Sequence, residues 1–544
     1  MARKDYAEKA QLFVRDATGL VRSWSVFDAF IYAFFSINLV TLGMYIFASG
    51  PFIPRGNLMP AVIISGAFLV FECILYSQMI SIMPRAGGDY VWQSRILGGA
   101  VGYILSITGW VFILWHWIPI YGTILAYEFV VPMLVILGKA LASAGLVRLA
   151  FWCTTGPGIF VMSIITAGIA ALYVSLGMGW YARMQKLMWF IAMAGLVLLL
   201  IVLLVSTPQV FTRHFDRFMT SIVSVHSQYA QIMANAAKAG YHPVALTSWQ
   251  LGPALLLIPM VLFFNLWPNW GSTLYGEVRG ASEYRRNAAG MIWALGVTTI
   301  LAIIFFLVVA KGIGWATYQR LNWAFYSDPK GMPLFPYPGL LAALATTSPI
   351  LQVLLILLMG AWFFGWCGTV FLSSTRVIFA AAFDRMAPER LADVTGRRRV
   401  PIWAVVAMVV PSIIVSALYA FVPGFSSYTL DATVVIGVMY LGTAVAGMIL
   451  PYTHPDLYRA SPVSRYQIGG VPLVTIAGIG FALILGFALY EWVTNAVYGV
   501  NALGSAIYMA VLYLIAAAIY VVYRTLRKRQ GINVEQIYGN IPAE

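Results

Sequence analysis

The sequence predicts an all-α integral membrane protein with about 12 transmembrane helices, and three observations carry that prediction. Hydrophobic residues make up 61% of the 544 and charged residues only 10%, whereas a soluble domain carries about 25% charge. Too few charges remain to cover the surfaces of several soluble domains. The apolar residues also come in long runs. Residues 187–206 read LMWFIAMAGLVLLLIVLLVS, without one charge; about twenty such residues cross a hydrocarbon core of about 30 Å as a helix. Finally, the short alternating strands of a membrane β-barrel are absent from the pattern.

Taken in order, the runs predict spans at 26–50, 60–82, 97–125, 157–178, 187–206, 251–275, 288–311, 349–383, 401–422, 429–450, 471–491 and 502–523. They divide the chain into a segment 1–25, a membrane domain 26–523 and a tail 524–544. Within the membrane domain, 26–206 and 251–450 read as two halves, and 471–523 holds the last two helices. The segment 1–25 is polar and basic with no cleavable signal pattern, so the first run reads as an uncleaved anchor.

Net charge is +14, from 33 Lys and Arg against 19 Asp and Glu. The excess sits in loops between apolar runs, which points to membrane topology and not to nucleic acid. Arg3, Lys4, Lys9, Arg15, Arg22, Arg279, Arg285, Arg286, Arg385, Arg390, the run Arg397–Arg399 and the cluster after Arg524 share one side. The long loops 207–250 and 312–348 on the other side are poor in basic residues. The positive-inside rule then places both termini in the cytoplasm, with those two loops as outer caps. Cys73, Cys153 and Cys367 show no metal or CxxC spacing and read as small packing residues.

Helix breakers locate the functional region. A broken helix in lipid strands backbone polar groups unless it lines a cavity. Residues 259–271 of the sixth span read PMVLFFNLWPNWG. Pro259 and Pro268 lack an amide and clash with the preceding turn; Asn265 and Asn269 can bond freed backbone or a ligand. A simple proline kink against packed aromatics would use the same residues. In the first span, Ser36, Asn38, Thr41 and Gly43 interrupt an apolar run, a pattern that also serves helix packing. These two spans open two sets of five. Because five is odd, the second set would be inverted relative to the first.

Three further stretches carry a family likeness. MPRAGGDYVWQSRILGGAVGYILSITGW (Met83–Trp110) follows span two, LYGEVRGASEYRRNAAGMI (Leu274–Ile292) follows span six, and SSTRVIFAAAFDRMAPERLADVTGRRRVPIWA (Ser373–Ala404) follows from span eight. In this order the set resembles the amino acid–polyamine–organocation permeases. The resemblance implies a LeuT-like fold of 5+5 inverted repeats with two additional C-terminal helices. It implies secondary transport without covalent chemistry, an organic cofactor or a metal. It also implies a substrate site at the two breaks, where half-helix ends receive the carboxylate and carbonyls the amino group. Carried onto this sequence, that site is Ser36, Ile37, Asn38, Thr41 and Gly43 with Phe264, Asn265, Leu266, Trp267 and Asn269. The first-helix stretch keeps a single glycine, Gly43, and Trp267 stands near the usual sixth-helix glycine.

Coupling candidates are Glu72, His116, Thr369, Ser373 and Ser374. A carboxylate at the bilayer centre costs roughly 2.5–3.5 kcal/mol on insertion scales, so Glu72 is a candidate proton carrier, or else a hydrogen bond between helices. His116 could titrate or simply pack. Thr369 and Ser373 share a helix face, as hydroxyls for a sodium ion would, although such hydroxyls often bond their own helix. Trp110, Trp267, Trp270 and Trp366 could wall a side-chain pocket. The expected substrate is a neutral or apolar amino acid, because the break in span six is rich in aromatics and the intramembrane acids that a polyamine would want are scarce; the expected coupling ion is H+ rather than Na+. A polyamine or other organic amine, or a sensor role, stand as alternatives. A haem-copper oxidase would need several intramembrane histidines, and only His116 of the five lies in a span. A major-facilitator protein would place its long loop after span six, not after five and seven.

Overall fold

The computed structural model describes residue 20 and residues 22–223, 227–396 and 398–541. Arg3, Lys4, Lys9, Arg15, His226 and Arg397, together with residues 542–544 of the tail, lie outside them. Among the described residues, 12 helices are long and apolar enough to cross a membrane. They are Val26–Phe47, Leu58–Ile82, Gly99–Ala140, Gly156–Ser175, Met178–Val205, Leu251–Glu277, Tyr284–Gly312, Pro349–Phe383, Ile402–Phe421, Phe425–Thr453, Leu473–Thr494 and Leu503–Arg529. Each expected span has its counterpart.

The third span differs most from expectation, running to Ala140 instead of ending near 125. Tyr127 and Glu128 look like an exit into water, but Glu128 is buried. The helix passes Pro132 by a π-helical turn over Ala126–Val130, after which Val131 restarts it with proline in the first turn, where no amide is needed. Lys139 therefore ends a helix; it is not a loop residue. The fifth span begins at Met178, about two and a half turns before expectation, because Arg183 and Lys186 sit on helix instead of ending it.

Burial sorts the spans into a core and a rim. In its most apolar window the first span is 83% buried and the tenth 72%, against 28% for the fifth and ninth and 22% for the twelfth. Exposed Leu187, Phe190, Ile201, Leu514 and Val521 give the rim helices the apolar outer faces that lipid requires. The two long loops 207–250 and 312–348 are not coil. They fold as helices Pro208–Val223, Gln228–Lys238, Trp315–Ser327 and Pro338–Leu344. Asn57, which caps the second span, donates to the carbonyls of Leu246 and Ser248 at 2.7 Å each and pins the chain entering span six. A hairpin pairs Gln467–Ile468 with Val471–Pro472 before span eleven. Its turn is Gly469-Gly470, both at positive φ, as a two-residue hairpin of this kind demands.

Candidate functional site

Both predicted helix breaks are present. Helix Val26–Ile37 stops at Asn38, which takes a left-handed φ of 45° and lets a π-helical turn, Leu39–Gly43, begin. Asparagine tolerates this conformation because its short amide can bond locally. Here Asn38 Oδ1 accepts the Thr41 amide at 2.9 Å, and Nδ2 donates to the Trp362 carbonyl of span eight at 3.3 Å. The sixth span is helical to Asn265, interrupted over Leu266–Asn269, and resumes as a 3-10 helix from Trp270 to Glu277. Pro268 sits inside the interruption and supplies no amide.

Gly43 brings the two breaks together. A Cβ there would stand 2.8 Å from the Phe264 ring, so only glycine lets span six approach span one this closely. Phe264 in turn meets Phe47 edge-on at 5.3 Å. Ser36, Ile37, Asn38, Thr41, Phe264, Asn265, Leu266, Trp267 and Asn269 are all buried. The sequence-derived residues thus converge, and both breaks are sealed from solvent on either side.

Aromatic rings wall this centre. Trp270 lies 4.5 Å from Trp110 and stacks on Trp117 at 5.6 Å; Trp267 stands perpendicular to both Trp117 (5.1 Å) and Trp270 (5.3 Å). Trp117 was visible in the sequence only as a neighbour of His116. Trp366 joins through Tyr121, stacked at 3.6 Å. Polar atoms remain unspent inside this wall. Asn265 bonds Ser65 through Nδ2 at 2.7 Å and Asn269 accepts the Tyr440 hydroxyl at 3.1 Å, leaving Asn265 Oδ1 and Asn269 Nδ2 without partners, while the Thr369 hydroxyl is directed toward that of Tyr121. Buried polar atoms rarely stay unpaired in folded chains; a vacant ligand position is one reason they do.

The coupling candidates separate into two groups. Glu72 is fully buried with neither carboxylate oxygen in a hydrogen bond, and the backbone N–H of Asn269, within the break, is directed toward it. Ser373 accepts or donates with the Tyr32 hydroxyl at 2.8 Å and donates to the Trp270 carbonyl at 2.9 Å, while Trp270 Nε1 donates to the Thr369 carbonyl at 3.2 Å. Span eight therefore clasps both broken helices at Thr369 and Ser373. Ser374 instead bonds back to Val370 at 2.7 Å, and Ser36 to Tyr32 at 2.7 Å. His116 does not reach the breaks. Its Nδ1 meets the Phe112 carbonyl at 2.7 Å, its Nε2 meets Tyr508 of span twelve, and its ring stacks over Phe425.

Three polar features escaped the sequence reading. Asp89, inside the Met83–Trp110 motif, accepts from Tyr76 and Thr443 at 2.6 Å, Trp110 at 3.1 Å and Ser272 at 3.2 Å. Burial pushes its carboxyl above the usual range, and these donors pull it back toward the charged form. Gly87 and Gly88, both at positive φ, allow this: a Cβ on either would strike Ala380 or the Ser272–Thr273 backbone. Arg376 of span eight pairs with Glu277 at 2.7 Å, fully buried. Trp24 N–H donates to the Glu277 carbonyl at 3.2 Å and the Trp24 carbonyl accepts from Arg279 at 2.9 Å, closing the terminus side beneath the breaks. Lastly, Glu72, Glu128, Glu277 and Asp431 are all buried within spans. That corrects the expectation that intramembrane acids are scarce; the acids lie singly among apolar residues, where composition conceals them.

Comparison with known proteins gives two matches. A family model described as "Amino acid permease" matches residues 25–523. Among solved structures, the crystal structure of MhsT in complex with L-phenylalanine is similar, with a TM-score of 0.52 at 14% identity, over 85% of this chain and 98% of that one. At such identity the likeness is one of fold. No curated protein matches the sequence.

Proposed function

The chain belongs to the amino acid permease family, and from that premise we propose that it carries a neutral or apolar amino acid across the cell membrane by alternating access, driven by protons. That it is a transporter of LeuT-like fold and not an enzyme follows from the family and the fold. The observation that carries the finer reading is the meeting of the two buried breaks, where unspent Asn265 and Asn269 atoms occur in the same stretch as the packed rings of Trp267 and Trp270. Such a site offers donors and acceptors to a zwitterion and an apolar wall to its side chain. The fold relative MhsT was solved with L-phenylalanine, which is in keeping with an aromatic-walled site.

Proton coupling rests on Glu72. A carboxyl at membrane depth with no cationic partner is most stable when protonated. Its neighbour in the break, Asn269, lets substrate occupancy alter its surroundings. The same carboxylate supports a second reading, in which Glu72 balances the charge of an organic amine. The charge distribution supports cytoplasmic termini, and the membrane proposed is the plasma membrane.

Uptake into proteoliposomes preloaded with mixed amino acids tests these readings. Labelled neutral amino acids, basic amino acids and putrescine are compared with and without an imposed pH gradient, and with sodium replaced. Saturable, gradient-driven uptake of a neutral amino acid is the expected result. Uptake of putrescine alone would establish the amine reading. Uptake that survives a proton ionophore but fails without sodium would overturn proton coupling, and binding without counterflow would indicate a sensor.

A further inference from the structure

Away from the central site, the non-terminal ends of the third and eighth spans enclose a cavity of about 210 Å³ with the outer helix Pro208–Val223. Lys139, His214 and Arg217 line it, together with Thr346, Thr347 and Gln352; no carboxylate does. His214 and Arg217 are one turn apart on the same helix face. Lys139 and Arg217 approach closely enough for their like charges to repel, and neither is in an ion pair among the described residues. Asp216, the nearest acid in sequence, accepts the Tyr229 amide at 2.8 Å.

Water screens part of the repulsion between these two exposed cations, and an anion seated between them would balance the charge that no carboxylate in the lining offsets. The rest of the lining suits an anion. Lys139 Nζ is held 4.7 Å above the Phe218 ring. The His214 ring is held by its Nδ1 contact with the Ala345 carbonyl at 3.1 Å. Gln352 fixes the 343–346 turn by donating to the Ala343 and Thr346 carbonyls at 3.0 and 2.8 Å. Helix Pro349–Trp366 begins at the cavity, and its N-terminal end adds partial positive charge.

We propose that this cavity binds a phosphate-type anion, with a phospholipid headgroup as its source. Leu141 and Ile350, 67% and 82% exposed, follow the lining residues Ala140 and Pro349 in the chain and present bare apolar surface of the kind that acyl chains cover. A headgroup seated there would tie the outer helix Pro208–Val223 to the ends of spans three and eight. The ligand neutralises Lys139 and Arg217 and leaves the central site untouched, so the proposal stands apart from the transport reading.

Native mass spectrometry of the full-length protein in detergent tests it. The protein is titrated with phosphatidylglycerol, with a diacylglycerol of the same chains, and with inorganic phosphate. A Lys139→Gln/Arg217→Gln variant runs in parallel; both residues are exposed, so folding is expected to persist and is checked by thermal melting. The expected result is a phosphatidylglycerol adduct at least tenfold tighter than diacylglycerol, weakened at least tenfold in the variant. Inorganic phosphate that binds and stabilises the wild type but not the variant, with no preference for the lipid, keeps the phosphate site and makes its source soluble. Equal binding of diacylglycerol and phosphatidylglycerol without any phosphate effect, or an adduct unchanged in the variant, would overturn the proposal.

Discussion

Arg376 and Glu277 form a two-pronged ion pair at 2.7 and 3.3 Å, each about 1–2% exposed, joining span eight to the far end of the broken sixth span. Arg376 also donates to Thr375 at 3.1 Å. The pair lies beside the Trp24–Glu277 backbone contact. The segment of span six beyond the break is therefore held by span eight and by the start of span one together. Any motion that opens the terminus side must disturb this junction.

Breaking the pair from one side strands a buried charge. Glu277→Gln is expected to destabilise the protein by about 3–5 kcal/mol, because Arg376 loses its partner with no access to water. Replacing both, as Glu277→Gln/Arg376→Met, removes the stranded charge and is expected to recover most of that loss. Thermal melting in detergent distinguishes them. Equal loss in the single and double variants would mean that the junction acts through packing and not through charge.

Trp267 is the aromatic wall most directly supplied by a break. It donates to the Phe263 carbonyl at 2.7 Å and packs against Trp117 and Trp270. Trp267→Ala is expected to lower uptake efficiency at least tenfold, but deleting so large a buried ring also costs about 3–5 kcal/mol of stability. Trp267→Phe keeps most of the volume and loses the indole. It is expected to melt near the wild-type temperature while raising KM several-fold. An unchanged KM in Trp267→Phe would remove this ring from the substrate wall.

Glu72→Gln separates the two roles open to that carboxylate. Glutamine mimics the protonated form, so gradient-driven accumulation is expected to fall at least tenfold while exchange of internal for external substrate persists. Loss of both activities in a variant that still folds would favour Glu72 as a counter-charge for the substrate.

How much of this was legible follows from what each feature depends on. The spans were legible because bilayer thickness fixes their length. The breaks were legible because Pro268 in span six and Asn38 and Gly43 in span one interrupt apolar runs at matching places of the two sets of five, although each alone would also suit a kink or helix packing. The third span was misjudged because Glu128 is polar in sequence yet buried, its turn Ala126–Val130 packing against helix Pro349–Trp366 far along the chain. Asp89 was hidden for the same reason: its donors Tyr76, Trp110, Ser272 and Thr443 come from four separate segments. The adjacent Gly87-Gly88 pair was a usable signal, since two glycines before an acid announce a tight backbone approach. His116 stayed open between titrating and packing because an intramembrane histidine reads the same whether it faces a cavity or, as here, Tyr508 and Phe425.

The tail after span twelve closes on the rest of the protein, and its hold can be loosened in two independent ways. Tyr538 lies against Gly99, where a Cβ would stand 2.2 Å from its ring. Its hydroxyl is 3.3 Å from that of Tyr90, and the Arg95 guanidinium, paired with Asp384 at 2.6 Å, lies 5.3 Å over its ring. Gly99→Ala should therefore displace the tail as Tyr538→Ala does, with faster hydrogen exchange confined to residues 531–541. Acid acts through Glu535, whose carboxyl Arg524, at 2.5 Å, holds below the usual carboxylate range. A lowered folded-state value means that its contribution is present above the ordinary 4.5 and is lost as pH falls below that through the group's own pKa. The pair is exposed and worth little alone, so acid is expected to speed exchange of the tail modestly, and no further in Glu535→Gln. An acid response equal in the wild type and in Glu535→Gln would assign it to another group.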